Sequence, residues 1–143
     1  MEIRRVTDRF SVSTQVAVDD FKLLREQGFR QVINNRVDGE APDQPQGRDL
    51  AAAARAAGVA YAEIPISLGG FRMPQIEEMA RALERTPGKT LAFCRTGTRS
   101  ILLWALAEVQ GGGDLATVAS QVAAAGYSVD PIRPTLASLA ARG

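Results

Sequence analysis

The chain has no histidine and one cysteine, Cys94, among its 143 residues. Without an imidazole there is no Ser-His-Asp triad, no Cys-His dyad and no hydrolysis by a histidine-held metal. A lone cysteine forms neither an intramolecular disulfide nor a cysteine-rich zinc site. No metal and no cofactor is therefore expected. Apolar runs long enough to span a membrane are also missing, and the start Met1-Glu2-Ile3-Arg4-Arg5 is not followed by a hydrophobic signal region, so the cytoplasm is the expected compartment. Seventeen Lys and Arg against sixteen Asp and Glu leave a formal charge of +1 with no basic stripe. That balance disfavours nucleic acid or an anionic membrane as partner and leaves a small ligand. A length of 143 residues at 45% hydrophobic content suits one domain over residues 1–143.

What is present centres on the cysteine. An apolar strand over residues 90–93 runs into Cys94 and then into Arg95-Thr96-Gly97-Thr98-Arg99-Ser100, which leads into an apolar helix. A loop closing on a helix N-terminus gathers unpaired backbone N–H groups, and the positive end of the helix dipole adds to them. Such a cradle stabilises a thiolate or a bound oxyanion. Two arginines, two threonines, a serine and a glycine make a poor core segment, so Cys94 is read as a nucleophile and Arg99 as the side chain that holds its anionic partner. Gly97 suits the middle of the cradle, where the backbone takes positive φ or comes close to an anion.

The rest of the pattern alternates strands with helices. Residues 10–16 read as a strand or hairpin arm. Asp19 or Asp20 caps a helix that ends at Gly28 with Phe21 and Leu24 inward, and Val32 and Ile33 lie in the next strand. Residues 37–47, rich in Asp, Gly, Pro and Gln, form a loop long enough to serve a site. A helix over residues 48–57 stops at Gly58, a strand follows over residues 59–66, and Pro74 opens a helix that buries Ile76, Met79 and Leu83. The helix after Cys94 is apolar on every side, which places it at the centre of the fold. Gly111-Gly112-Gly113 reads as a turn between helices, and Asp130-Pro131 opens a last helix with Leu136 and Leu139 packed inward. The expected fold is α/β: a mainly parallel central sheet flanked by helices, a helical C-terminal tail, and the Cys94 loop at the carboxyl ends of the strands.

Three segments also carry a resemblance. Phe93-Cys94-Arg95-Thr96-Gly97-Thr98-Arg99-Ser100 with Leu103-Trp104-Ala105-Leu106, together with Ser13-Thr14-Gln15 and the stretch from Val32 through Asn35, Arg36 and Asp38 to Glu40, resembles the phosphatase-like domain family of bacterial beta-lactamase-hydrolase-like proteins. The resemblance implies a protein tyrosine or dual-specificity phosphatase-like fold. It also implies either phosphatase or sulfur-transfer activity, and a sulfur dioxygenase as partner, since some members are fused to one.

The loop discriminates between the two chemistries. Protein tyrosine phosphatases carry His-Cys, five residues and Arg; here Phe93 stands before the cysteine and Arg99 follows after four residues. A shorter loop makes a smaller anion pocket and is similar to the loop of rhodaneses. Phosphatases of this fold also use an aspartate about thirty residues before the cysteine, and general acid help is worth roughly 10²–10⁴-fold. Residues 65–68, Pro-Ile-Ser-Leu, occupy that region. A thiol leaves without such help more readily than an alkoxide. The expectation is a rhodanese-type sulfurtransferase: Cys94 takes a sulfane sulfur from thiosulfate or a small persulfide, and an external thiol removes it. Arg95 stands at the rim, and Thr96, Thr98 and Ser100 join the loop's anion-binding set. Thr96 and Ser100 are candidate donors to the sulfur, Ser100 equally a helix cap. Arg36 and Arg72 are candidates for the entrance. The alternative is a phosphatase working through phosphocysteine on a small phosphate substrate, with Asp38 as a displaced acid. A second alternative is an anion-binding or thiol redox-sensing module without turnover.

Overall fold

The computed structural model describes residues 1–67 and 69–142. Its sheet has five strands: β1 (Ile3–Arg5), β2 (Phe10–Ser13), β3 (Phe29–Asn34), β4 (Ala60–Glu63) and β5 (Lys89–Phe93). Across the sheet the order is β1-β2-β5-β3-β4; β1 pairs antiparallel with β2, and every other pairing is parallel. Parallel strands need crossovers, which α1 (Phe21–Glu26), α2 (Gly47–Ala57) and α3 (Met73–Arg85) supply. After β5 come α4 (Thr98–Gln110), α5 (Leu115–Ala124) and α6 (Arg133–Arg142), with a short 3-10 turn at Asp130–Ile132 before α6.

Alternation along the strands sends side chains to two cores. Val32, Leu91 and Phe93 pack with Phe21, Leu24, Leu50 and Ala54 of α1 and α2. On the other face, Val12, Ile33 and Ala92 meet α3, α4, α5 and α6. Helix α4 lies in the middle of this layer. From Ser100 to Val109 every residue except Glu108 is buried, as an all-round apolar helix requires. Trp104 stacks on Phe10 of β2 with ring centroids 5.4 Å apart.

Element boundaries depart from the sequence pattern in a few places. Strand β1 has no apolar alternation, since Arg4 and Arg5 are exposed; it exists because its backbone pairs with the free edge of β2. The segment after β4 is extended beyond Glu63 without being assigned to the strand, and Ile64 and Ile66 donate backbone hydrogen bonds to Asn34 and Asn35. Asp130-Pro131 begins a 3-10 turn rather than α6 itself. Among the described residues no helix is long and apolar enough to cross a membrane.

Candidate active site

Strand β5 ends at Phe93 in the sheet's interior, between β2 and β3, and delivers Cys94 to the carboxyl edge of the parallel strands. The cysteine is fully buried. Its N–H donates to the Ser13 carbonyl at 3.3 Å, and its sulfur accepts from the Gly97 N–H at 3.1 Å. Gly97 is the N-cap of α4 with φ +91°. Only glycine adopts that conformation without strain, and it turns the peptide N–H back onto the sulfur. Among the described residues, the N–H groups of Arg95, Thr96, Arg99 and Ser100 have no protein acceptor. Open donors at a helix start beside a buried sulfur are the ingredients of an anion cradle.

A second reason for the glycine comes from the tail. A Cβ on Gly97 would stand 2.3 Å from the Tyr127 hydroxyl oxygen and 3.2 Å from its ring carbon. Gly97→Ala combines this clash with positive-φ strain, and is expected to lower unfolding free energy by about 1–3 kcal/mol in a urea titration.

Arg99 extends from the first turn of α4 into a cavity of about 700 Å3, lined among the described residues by Arg36, Glu40, Ser67, Gly69, Arg95 and their neighbours. Both Arg99 terminal nitrogens donate to Glu40, at 2.6 and 3.0 Å, and one also donates to the Ile66 carbonyl at 2.8 Å. Glu40 arrives from the loop after β3. It is anchored by Arg36 Nε at 2.9 Å and by the Val37 N–H at 2.9 Å, while Arg36 reaches on to Gln15 Oε1 at 2.7 Å. The Arg99 hydrogen bonds pull the Glu40 carboxyl from 4.5 to about 2, with partial burial opposing and Val37 and Arg36 assisting. Reciprocally, Glu40 raises the Arg99 guanidinium above its ordinary value, and the nearby Cys94 sulfur adds to the rise. A carboxyl with a depressed folded-state value stabilises the fold above its unfolded value. The contribution is complete above pH 4.5 and is lost as pH falls through about 2, so the clamp is closed throughout the neutral range.

The structure separates the remaining candidates. Arg95 is exposed and lines the cavity. Thr96 and Thr98 are exposed, with the Thr96 hydroxyl donating to that of Thr98 at 3.0 Å. Ser100 is fully buried and donates to Asn35 Oδ1 at 2.7 Å, which uses its proton inside the fold instead of on the sulfur. Asp38 does not face the cavity: its carboxylate accepts from the Gly47 N–H at 2.9 Å, at the start of α2. Arg72 is exposed ahead of α3 and is not among the cavity's lining residues. Of the residues 65–68 where an acid was sought, the described ones are Pro65, Ile66 and Ser67; Leu68 lies outside the described residues. Glu63 accepts from the Tyr61 hydroxyl at 2.8 Å and covers Gly47, so it belongs to the α2 end as well.

Gln15, Asn35, Glu40 and Tyr127 had no role assigned from the sequence. The first three lie in the segments that carried the family resemblance, which was a signal of importance without a contact. Tyr127 gave no local signal at all.

A cysteine-bearing loop between a central parallel strand and a buried helix defines the class: this is the α/β fold of the protein tyrosine and dual-specificity phosphatases, with its five-stranded sheet and helices on both faces. Residues 2–111 match the family described as beta-lactamase hydrolase-like protein, phosphatase-like domain, and the chain belongs to that family. Two beta-lactamase hydrolase-like proteins, from Xylella fastidiosa strain Temecula1 and Agrobacterium fabrum strain C58, are 38% and 35% identical to it over 112 residues. Each match takes in 78% of this chain and 26% of the relative, so the chain spans about a quarter of the length of these curated relatives. A crystal structure from Neisseria meningitidis Z2491, of a protein given as a candidate phosphatase, matches with TM-score 0.82 and 25% identity over 97% of this chain and 99% of that one. A mutant form of Tk-PTP matches with TM-score 0.77 at 20% identity over 98% of this chain and 95% of its own, and speaks for the fold alone. None of these is described as a sulfurtransferase. The descriptions support a phosphatase-like domain, and thereby the phosphoryl alternative over the sulfur transfer expected from the loop length.

Proposed function

We propose that the chain is a cysteine-nucleophile hydrolase that takes a phosphoryl group from a small phosphate ester onto Cys94. The observation that carries this reading is the buried Cys94 sulfur held by the Gly97 N–H at the foot of an open donor loop, with Arg99 beside it. Family and fold support phosphate as the group transferred. In the first step the Cys94 thiolate forms an S–P bond as the P–O bond to the leaving group breaks. Loop amides and the Arg99 guanidinium share the charge on the phosphoryl oxygens. Water then attacks phosphorus, the S–P bond breaks, and the thiolate and inorganic phosphate are released.

Nothing described in the cavity donates a proton to the leaving oxygen. Its one lining carboxylate, Glu40, is anionic near neutrality. The leaving group is protonated by water, which favours aryl over alkyl phosphates. Asp38→Asn is expected to change turnover of either class by no more than about twofold, because that carboxylate serves the α2 terminus. An aryl and an alkyl phosphate assayed in parallel check this, and a selective loss on the alkyl ester would reinstate Asp38 as the acid.

The same missing acid, with the four-residue spacing to Arg99, favours a second reading, sulfur transfer. There the Cys94 thiolate attacks the outer sulfur of thiosulfate, the S–S bond breaks, sulfite departs without a proton, and the persulfide passes to an external thiol. Intact mass spectrometry after separate incubation with an aryl phosphate, thiosulfate and glutathione persulfide distinguishes the two. A phosphoryl adduct with phosphate release supports the hydrolase. A single added sulfur discharged by cyanide supports the transferase, and no adduct from any donor leaves an anion-binding or redox-sensing module.

A further inference from the structure

The segment beyond residue 111 lies outside the family match, yet it places a tyrosine on the Cys94 loop. Helix α5 ends in a left-handed glycine, Gly126, at φ +96°. The Gly126 N–H bonds back to Ala123, and the Tyr127 N–H to Val122 at 3.1 Å. This paired closure fixes the direction in which the Tyr127 side chain leaves the helix. From β1, Arg4 lies over the Tyr127 ring at 5.9 Å and reaches the Ala125 carbonyl, which ties the ring to the β1 edge.

The Tyr127 hydroxyl donates to the Thr96 carbonyl at 2.8 Å. That carbonyl belongs to the same peptide unit whose N–H, on Gly97, donates to the Cys94 sulfur at 3.1 Å. One planar amide thus receives a hydrogen bond at its oxygen and gives one from its nitrogen. A hydrogen bond accepted by an amide oxygen polarises the group and makes its N–H a stronger donor, by about 10–30% per bond in condensed phase. It also fixes the plane in which that N–H points. We infer that Tyr127 is a positioning residue for the nucleophile, acting on Cys94 through the Thr96–Gly97 peptide. The tail is then part of the active site, although among the described residues no tail atom bonds to the sulfur directly.

The inference rests on Cys94 being the nucleophile and is independent of whether phosphoryl or sulfur is transferred. Charged groups around the site are Arg95 and Arg99 on the loop and α4, Arg36 and Glu40 from the loop after β3, and Glu2 and Arg4 from the β1 edge. Tyr127→Phe alters none of them and keeps the ring, which isolates the hydroxyl.

With one cysteine and no histidine, the thiolate can be titrated directly by its ultraviolet absorbance, using Cys94→Ser as the blank. Removing the hydroxyl is expected to move the thiolate midpoint upward by about 0.1–0.7 pH unit, the share that a change of roughly 10–30% contributes to a charge-assisted hydrogen bond. Thermal melting of the variant should stay within a few degrees of the parent, and Tyr127→Leu should reproduce the upward shift because the ring itself is not what acts. An unmoved midpoint in a folded Tyr127→Phe protein would overturn the inference, as would a shift in Tyr127→Leu that Phe does not show, since either makes Tyr127 packing only. Because the titration needs no substrate, this result stands apart from the adduct experiment.

Discussion

Replacing Cys94 with serine is expected to abolish every covalent adduct and to lower turnover by roughly 10⁴–10⁶-fold, the scale on which deletion of a nucleophile costs an enzyme. Serine keeps the shape of the site and takes a hydrogen bond from Gly97. It lacks the thiolate: a hydroxyl needs a neighbouring base to become a nucleophile, and the chain has no histidine to serve. The variant should therefore fold and bind the anion while failing to turn it over. Steady-state assays with the substrate that labels the parent, beside calorimetric binding of its inorganic product anion, check both halves. Turnover within about tenfold of the parent would place the chemistry elsewhere.

Arg99→Lys is expected to lower turnover by about 10²–10³-fold, comparable to loss of a preorganised donor at an oxyanion. The substitution retains a positive charge, so a role through charge alone predicts near-normal activity. The geometry argues otherwise. Arg99 uses one planar fork to hold both oxygens of Glu40 and the Ile66 carbonyl, and an ammonium group cannot keep that orientation. Its effect should fall on the catalytic constant more than on KM if the guanidinium acts on charge that develops during transfer. A loss confined to KM, with kcat unchanged, would make Arg99 a ground-state anchor.

The Glu40 clamp bears on both results. Arg99, beside Cys94, already has a carboxylate partner, Glu40, itself fastened by Arg36 and by the Val37 N–H. This arrangement orients the guanidinium before substrate arrives. The loop over residues 37–47 reaches the cavity through Glu40 and not through Asp38. Asp38 and Glu40 are two positions apart, and no periodicity governs a loop. Glu40 meets Arg99, while Asp38 accepts from the Gly47 N–H at the start of α2.

Much of the fold was legible because it rests on local rules. The lone cysteine between an apolar strand and a loop of small and cationic residues marked the place where strand, loop and helix start meet. Gly58 closed α2 in a left-handed turn at φ +73°, and the all-apolar stretch after Ser100 marked the buried central helix. The same strand and helix pattern implied a mainly parallel sheet with the loop at its carboxyl edge. Ser100 shows where that reasoning stops. A serine at a helix start reads equally as a cap or as a donor to the sulfur, and it proved to be neither, because the fold brings Asn35, 65 residues earlier, against it.

The available chemistry is written in the residue types: one thiol, no imidazole, and a donor-rich loop at a helix start. Those follow from residue identity and from neighbours a few positions away. Tertiary structure alone decided which groups attend the thiol. Gln15, Glu40 and Tyr127 come from three separate connections. Glu40 and Tyr127 bond loop and helix residues 59 and 31 positions away, and Gln15 joins through Arg36. Such contacts exist only once β2, β3 and β5 lie side by side and the tail has packed on α4, so no local pattern in the chain encodes them.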